Sequence, residues 1–287
     1  MDVVDVEPNP VVVIGGAGVM AGVAPVIRDI AERTNIGVLN TWAAKGLFPW
    51  NHPAHLGTMG LQAGDIVLAD LAGHDDVILC GVSEDELPRA TLTALGVAWR
   101  DVLPGDLEAL PLPRRGEPTP HPPLYSELFA VCQPLFADDT LPLNPARAAA
   151  DLAAVLPDDG VVCGDASRSG FWLGRTIPTR ALGSVRLPTR VAPGFAVVQA
   201  DQVRRAGHFS VAVVDSVDPG TRSILDRAVD LVVEIWSEDG PPLSSAERVE
   251  RLLAAHAGGG VHVLELGVRF DEIGRLVAVA GAPLWGA

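Results

Sequence analysis

Residues 10–20 read Pro10-Val-Val-Val-Ile-Gly-Gly-Ala-Gly-Val-Met20, and residues 24–33 follow as Ala24-Pro-Val-Ile-Arg-Asp-Ile-Ala-Glu-Arg33. The short, fully apolar run Val11–Gly15 has the composition of a parallel strand buried on both faces. Gly15-Gly-Ala-Gly18 then permits a tight turn, and Val26, Ile27 and Ile30 share one helical face. Strand, glycine turn and helix in that order form the opening unit of a doubly wound α/β domain.

The same alternation continues along the chain. Gly37–Asn40, Val77–Val82 and Val97–Val102 read as strands, with a helix expected over Leu61–Leu71. Between Pro104 and Pro145 the chain carries ten prolines, including Pro111, Pro113, Pro118, Pro120, Pro122, Pro123 and Pro134. That density blocks helix interiors and sheet ladders, so the stretch reads as a partly extended connector, with a short helix possible over Leu124–Val131. Beyond it, Asn144 caps a helix over 146–156. Strands are then expected at Val161–Gly164, Ser184–Leu187, Ser210–Val214, Leu231–Ile235 and Val261–Leu266. Helices are expected at Arg168–Arg175, Gly194–Ala206, Gly220–Ala228 and Ala246–His256. The prediction is two doubly wound parallel-sheet domains, 1–103 and 144–287, joined by the 104–143 linker. Leu276–Gly281 is read as an extra edge strand. Glu247, Arg248, Glu250 and Arg251 are read as a solvated helix face.

Composition narrows the function classes. The 287 residues are 48% hydrophobic and 20% charged, with a net charge of −15. An acidic chain lacks the basic field that nucleic acid or anionic membrane attracts, so neither is an expected partner. Cys80, Cys132 and Cys163 are widely spaced with no C-x-x-C pair, and read as small buried hydrophobes. Met1–Glu7 has neither a basic n-region nor an apolar core of a signal peptide. No apolar run reaches the roughly 20 residues that span a bilayer. A soluble, cytoplasmic protein is expected.

Several residue sets invite a chemical reading. Gly15, Gly16 and Gly18 stand where backbone amides meet a phosphate in nucleotide-binding folds. The second strand ends in Asn40 and Thr41, not in a ribose-binding acid, which speaks against a standard NAD site. Lys45 is the only lysine of the chain and is a candidate anion contact. His52 and His55 flank Pro53 without a completing carboxylate, so no metal site is expected there. Asp215 and Asp218 end a strand and enter a turn, where they could hold a cation or serve as ordinary turn residues. Ser167, Asp165 and His208 lack a nucleophile-elbow pattern, so no hydrolytic triad is assigned.

The stretch Thr41-Trp-Ala-Ala-Lys-Gly-Leu-Phe-Pro-Trp-Asn-His-Pro53, with Leu56-Gly-Thr-Met-Gly60, resembles the central domain of thiamine-diphosphate (ThDP) enzymes of the acetolactate synthase and 2-oxoacid decarboxylase type. Leu143–Arg147, Leu156–Asp165, Trp172 and Arg190–Gln199 resemble the entry to that family's pyrophosphate-binding domain. The resemblance implies a Rossmann-like central domain of the kind that holds FAD in some relatives, an adenine nucleotide or CoA in others, and nothing in many. It places Lys45 in a loop packed toward neighbouring domains and the cofactor region. It also implies a Gly-Asp-Gly motif closed by an asparagine, whose oxygens hold Mg²⁺ on the diphosphate. Here the matching strand runs Val211–Asp215 into Ser216-Val-Asp-Pro-Gly220, and the last asparagine of the chain is Asn144. Only nine residues precede the first strand, where relatives carry the domain with the activating glutamate.

The expectation is a non-catalytic or partner-dependent member, forming a homo-oligomer or pairing with a fuller ThDP enzyme. ThDP and Mg²⁺ would then bind only with a partner's help. One alternative is a subunit of a split carbon–carbon lyase or ligase acting on a 2-oxoacid. Another is a nucleotide- or CoA-binding protein using the Gly15–Gly18 turn. The cofactor-binding candidates are thus Gly15, Gly16, Gly18, Lys45 and Asp215, with no catalytic residue assigned.

Overall fold

The computed structural model describes residues 8–118 and 121–286. The signal-peptide reading of Met1–Glu7, and Pro120 of the linker, lie outside the described residues. The first half folds as β1 (Pro10–Ile14), α1 (Gly16–Met20), α2 (Ala24–Thr34), β2 (Gly37–Thr41), β3 (His55–Met59), α3 (Asp65–Leu68), β4 (Asp76–Cys80), α4 (Arg89–Ala94) and β5 (Trp99–Val102). After α5 (Ser126–Phe136) come α6 (Pro145–Val155), β6 (Val161–Gly164), α7 (Arg168–Thr176), β7 (Val185–Arg186), α8 (Phe195–Arg205) and β8 (Ser210–Val214). The chain continues through α9 (Pro219–Leu225), β9 (Leu231–Ser237), α10 (Ser245–Gly258), β10 (Val261–Gly267) and α11 (Ile273–Ala280).

These strands make two five-stranded sheets, ordered β3-β2-β1-β4-β5 and β10-β9-β8-β6-β7, with every recorded pairing parallel. In the first sheet the order reverses direction between β1 and β4. In the second it reverses between β6 and β8. The carboxyl ends of those pairs form the crevices where open α/β sheets bind ligands.

Alternate side chains of each strand feed different cores, because strand side chains alternate faces. Val12, Ile14, Val38 and Ile78 face Ile27, Ile30 and Ala31 of α2. Val161, Cys163, Ala212 and Val214 face Ala196, Val197 and Ala200 of α8. The opposite faces of both sheets, with α5, α6 and α7, share one continuous core containing Val11, Leu79, Leu128, Leu152, Trp172 and Val213. Each such fully buried aliphatic side chain contributes about 1.5–3 kcal/mol by leaving water.

Helix ends follow their sequence signals. Asn144 Oδ1 accepts from the Arg147 amide ahead of Pro145, and Ser244 and Glu247 form a reciprocal capping box on α10. The expected helix over Leu61–Leu71 shortens to α3. Residues 63 and 64 are drawn outward, their amides donating to Ala282 and Ala280 carbonyls of the C-terminal segment. Leu276–Gly281 is not an edge strand. It is the end of α11, with Leu276 and Ala280 one helical turn apart on the buried face, and Gly281 follows at φ +74°. Packing of that face decides against the β propensity of its valines. Arg248 also leaves the solvated face assigned to it. It is 1% exposed and bonds Glu234 at 2.8 and 2.6 Å. Within the proline-rich connector, α5 is longer than expected, and the Tyr125 hydroxyl ahead of it donates to the Thr58 carbonyl.

Candidate functional site

At the first sheet's reversal point, the Gly15–Gly18 turn lies against the loop after β4. A Cβ on Gly15 would stand 2.3 Å from the Gly81 carbonyl oxygen, so these backbones meet where no larger residue fits. The turn's amides are spent inside the protein. Gly15 N–H donates to the Cys80 carbonyl, Ala17 N–H to Gly81, and Gly18 N–H back to Gly15. Gly16 N–H donates to Glu86 Oε1 at 2.8 Å. The same oxygen accepts from the Thr41 hydroxyl at 2.5 Å, and Oε2 accepts from the Ser83 amide at 2.8 Å. Glu86 is 1% exposed. A carboxylate of the chain thus occupies the Gly16 amide that the turn would otherwise offer to a ligand, with charge-assisted bonds to amide and hydroxyl donors.

Lys45 follows β2 and is buried. Its Nζ stands 5.3 Å from the centre of the Trp50 ring. Among the described residues no carboxylate lies within ion-pair distance of it. Burial first, and the nearby Arg175 charge second, bring its pKa down to about 7. His55, whose Nε2 lies 2.7 Å from Asn40 Oδ1, is brought down to about 3 by burial and then by the Lys45 charge. Gly16 and Lys45 both line a cleft of about 470 Å³ between the two sheets, closed from the other side by Arg186, Thr189, Phe195 and Gln199. The structure therefore brings Gly16 and Lys45 to one cleft and leaves Asp215 elsewhere.

At the second sheet's reversal point three carboxylates each cap a different helix. Asp165, after β6, accepts from the Ala196 amide of α8 at 2.8 Å. Asp218 accepts from the Thr221 amide of α9 at 2.8 Å, and that bond holds its carboxyl below the usual range. Asp215, after β8, receives the start of α7. Its Oδ1 accepts from the Ser167 hydroxyl at 3.0 Å, the Ser169 amide at 3.0 Å and the Ser169 hydroxyl at 2.5 Å. Its Oδ2 accepts from the Arg168 amide at 3.1 Å. Burial raises the Asp165 pKa, with the Asp218 and Asp215 charges adding to the shift. Arg168 completes the arrangement. Its guanidinium stands 3.7 Å from Asp215 Oδ2 and 3.2 Å from Glu238 Oε1, bridging acids at the ends of β8 and β9.

The Mg²⁺ and diphosphate implied by the resemblance do not fit this arrangement. A hard cation needs carboxylate oxygens with free lone pairs. Here Asp215 Oδ1 already accepts three hydrogen bonds and Oδ2 one, and the half-exposed Arg168 guanidinium stands beside the strand-end acids where a cation would have to compete with it. Asn144 is buried far along the chain, capping α6 and donating to the Leu135 carbonyl. Among the described residues no group of three His, Cys, Asp or Glu side chains could hold a metal ion. Ser167 bonds Asp215, whereas His208 pairs with Asp159 at the opposite end of β8, so Ser167, Asp165 and His208 form no triad.

The deciding residues Glu86, Arg168 and Glu238 were not singled out from sequence. Ser83-Glu-Asp-Glu86 does carry the S-x-x-E signature of a reciprocal cap, and Ser83 Oγ accepts from the Glu86 amide as that pattern predicts. Nothing local marks Arg168 or Glu238, because their meeting depends on how two strands and α7 are arranged.

Residues 2–95 match the family model described as the thiamine pyrophosphate enzyme central domain. The chain is 34% identical over 78 residues to acetolactate synthase of Mycobacterium avium, covering 27% of this chain and 13% of that one. It is 31% identical over 88 residues to the acetolactate synthase large subunit of Buchnera aphidicola, covering 30% and 15%. The chain thus spans a small part of the curated relatives it matches. A solved structure described as a thiamin diphosphate-dependent enzyme from Mycobacterium smegmatis superposes with a TM-score of 0.65 at 16% identity, over 91% of this chain and 61% of that one. That likeness concerns the fold. No helix of the described residues is long and apolar enough to cross a membrane.

Proposed function

We propose, from the match of residues 2–95 to the thiamine pyrophosphate enzyme central domain, that the chain is a member of that enzyme family that does not itself carry out ThDP chemistry. It acts as a partner-dependent or non-catalytic member, associating with its own copies or with a fuller relative in the cytoplasm. One observation carries the reading. Arg168 stands 3.7 Å from Asp215 and 3.2 Å from Glu238, while Asp215 accepts from four donors at the start of α7. These groups of the chain would compete with a bridging cation and its anionic ligand for that place, which supports the reading.

The reading is tested by assaying the purified protein with Mg²⁺, ThDP and pyruvate, alone and mixed with proteins that co-purify from the native host. No turnover alone is expected. Turnover that appears only on mixing identifies a split 2-oxoacid lyase or ligase. Turnover by the purified chain alone contradicts the proposal.

A further inference from the structure

We propose that Lys45 is a covalent attachment site for an anionic aldehyde or ketone that enters the cleft between the two sheets. The inference goes beyond the proposed function and does not depend on it, because it uses only the loop after β2 and the opposite wall of the cleft.

Burying an ammonium without a counter-charge is costly, and folded proteins rarely keep such a group without a use for it. Lys45 is 4% exposed, the chain's only lysine, and among the described residues has no carboxylate within ion-pair distance. Replacement by an apolar residue would avoid that cost. The cleft wall is selective in charge. The chain carries 36 acidic residues, yet no Asp or Glu lines the cleft, and its titratable members are Lys45 and Arg186. The Arg186 Nη1 donates to Gln199 Oε1 at 3.0 Å, which leaves guanidinium N–H groups for an anion. Val19, Leu187 and Phe195 supply the apolar remainder. A volume of about 470 Å³ suits a small molecule with an apolar body, a carbonyl at one end and a carboxylate or phosphate at the other.

The chemistry needs no further reagent. The neutral amine adds through its nitrogen lone pair to the carbonyl carbon, and its proton passes to the carbonyl oxygen. Loss of water from the resulting carbinolamine leaves an imine. No other side chain competes well, since burial pushes the Cys80 thiol up to about 11 and those of Cys132 and Cys163 up to about 12.

The test treats the folded protein with 4-carboxybenzaldehyde, benzaldehyde or a trimethylammonio-benzaldehyde, then borohydride, and maps adducts by mass spectrometry. With one lysine, side-chain labelling is read at a single position, separate from the α-amine. The expected result is labelling of Lys45 by the carboxylate probe about tenfold faster than by the neutral one, as one favourable ion pair allows. The rate should rise through a midpoint near pH 7. Arg186→Gln should abolish the preference, and the wild-type comparison decides the matter even if that variant folds poorly. An unlabelled Lys45 beside a labelled α-amine overturns the proposal, as does equal labelling by all three probes.

Discussion

Arg175 and Asp65 form a buried ion pair that ties the two sheets together. The Arg175 Nη2 of α7 lies 2.8 and 3.0 Å from the two carboxylate oxygens of Asp65 in α3, and both side chains are essentially inaccessible to water. Arg175 Nη1 also donates to the Thr58 carbonyl at 3.2 Å. Such a pair contributes little net stability against an apolar replacement, but removing one partner strands the other charge. Arg175→Met or Asp65→Asn should therefore lower unfolding free energy by about 3–5 kcal/mol in urea titrations. The Arg175→Met, Asp65→Leu double variant should recover most of that loss. Equal losses in single and double variants would contradict this.

Two buried basic groups contribute to the pH dependence of stability, each in its own window. The folded pKa of Lys45 is brought from 10.5 to about 7, and that of His55 from 6.5 to about 3. Between each pair of values the unfolded chain binds the proton that the folded chain rejects, so stability rises with pH there. Lys45→Met should remove a slope of at most about 1.4 kcal/mol per pH unit above pH 7 and leave the acid limb in place. Unfolding titrations of wild type and variant at several pH values check this. A constant difference across pH 7–10 would show that Lys45 is not held neutral.

Glu86 fixes the glycine turn through three donors, namely the amides of Gly16 and Ser83 and the Thr41 hydroxyl. Glu86→Ala leaves these buried donors without an acceptor, at a cost of about 1–3 kcal/mol each. The wild-type turn should bind neither ATP nor FAD in calorimetry, because none of its amides is free. Saturable nucleotide binding that Gly16→Ala removes would contradict the closed turn.

Trp285 is stacked on Trp42 with ring centroids 5.5 Å apart and planes inclined by 29°. Leu284 N–H donates to the Leu61 carbonyl, so the C-terminal segment is held to the first sheet's loops by backbone and ring contacts together. Trp285→Ala should cost about 3–5 kcal/mol and remove the near-ultraviolet signal of the paired indoles. An unchanged spectrum and unfolding midpoint would mean that the segment is not docked in solution.

The parallel-sheet architecture was legible because buried strands such as Val11–Ile14, Val77–Cys80 and Val211–Val214 are apolar on both faces, and glycine or capping residues punctuate them. β3 escaped notice. His55-Leu-Gly-Thr-Met59 has no apolar run, and it pairs only along one edge of β2. α11 was misread because valines at 277 and 279 favour strands locally, while its contact with α5 comes from the whole fold. At the site, the absence of the Gly-Asp-Gly and late asparagine could be read directly. The carboxylates and the guanidinium that take their place could not, since Glu86 meets Gly16 across 70 positions and Arg168 meets Glu238 across another 70.

A second reversal point closed to a metal-bound diphosphate has a direct calorimetric consequence. Isothermal titration of the purified protein with ThDP in excess Mg²⁺ tests it most directly. The account predicts no saturable heat up to millimolar ligand. Saturable binding in the micromolar range, dependent on Mg²⁺ and weakened by Asp215→Ala, would contradict it.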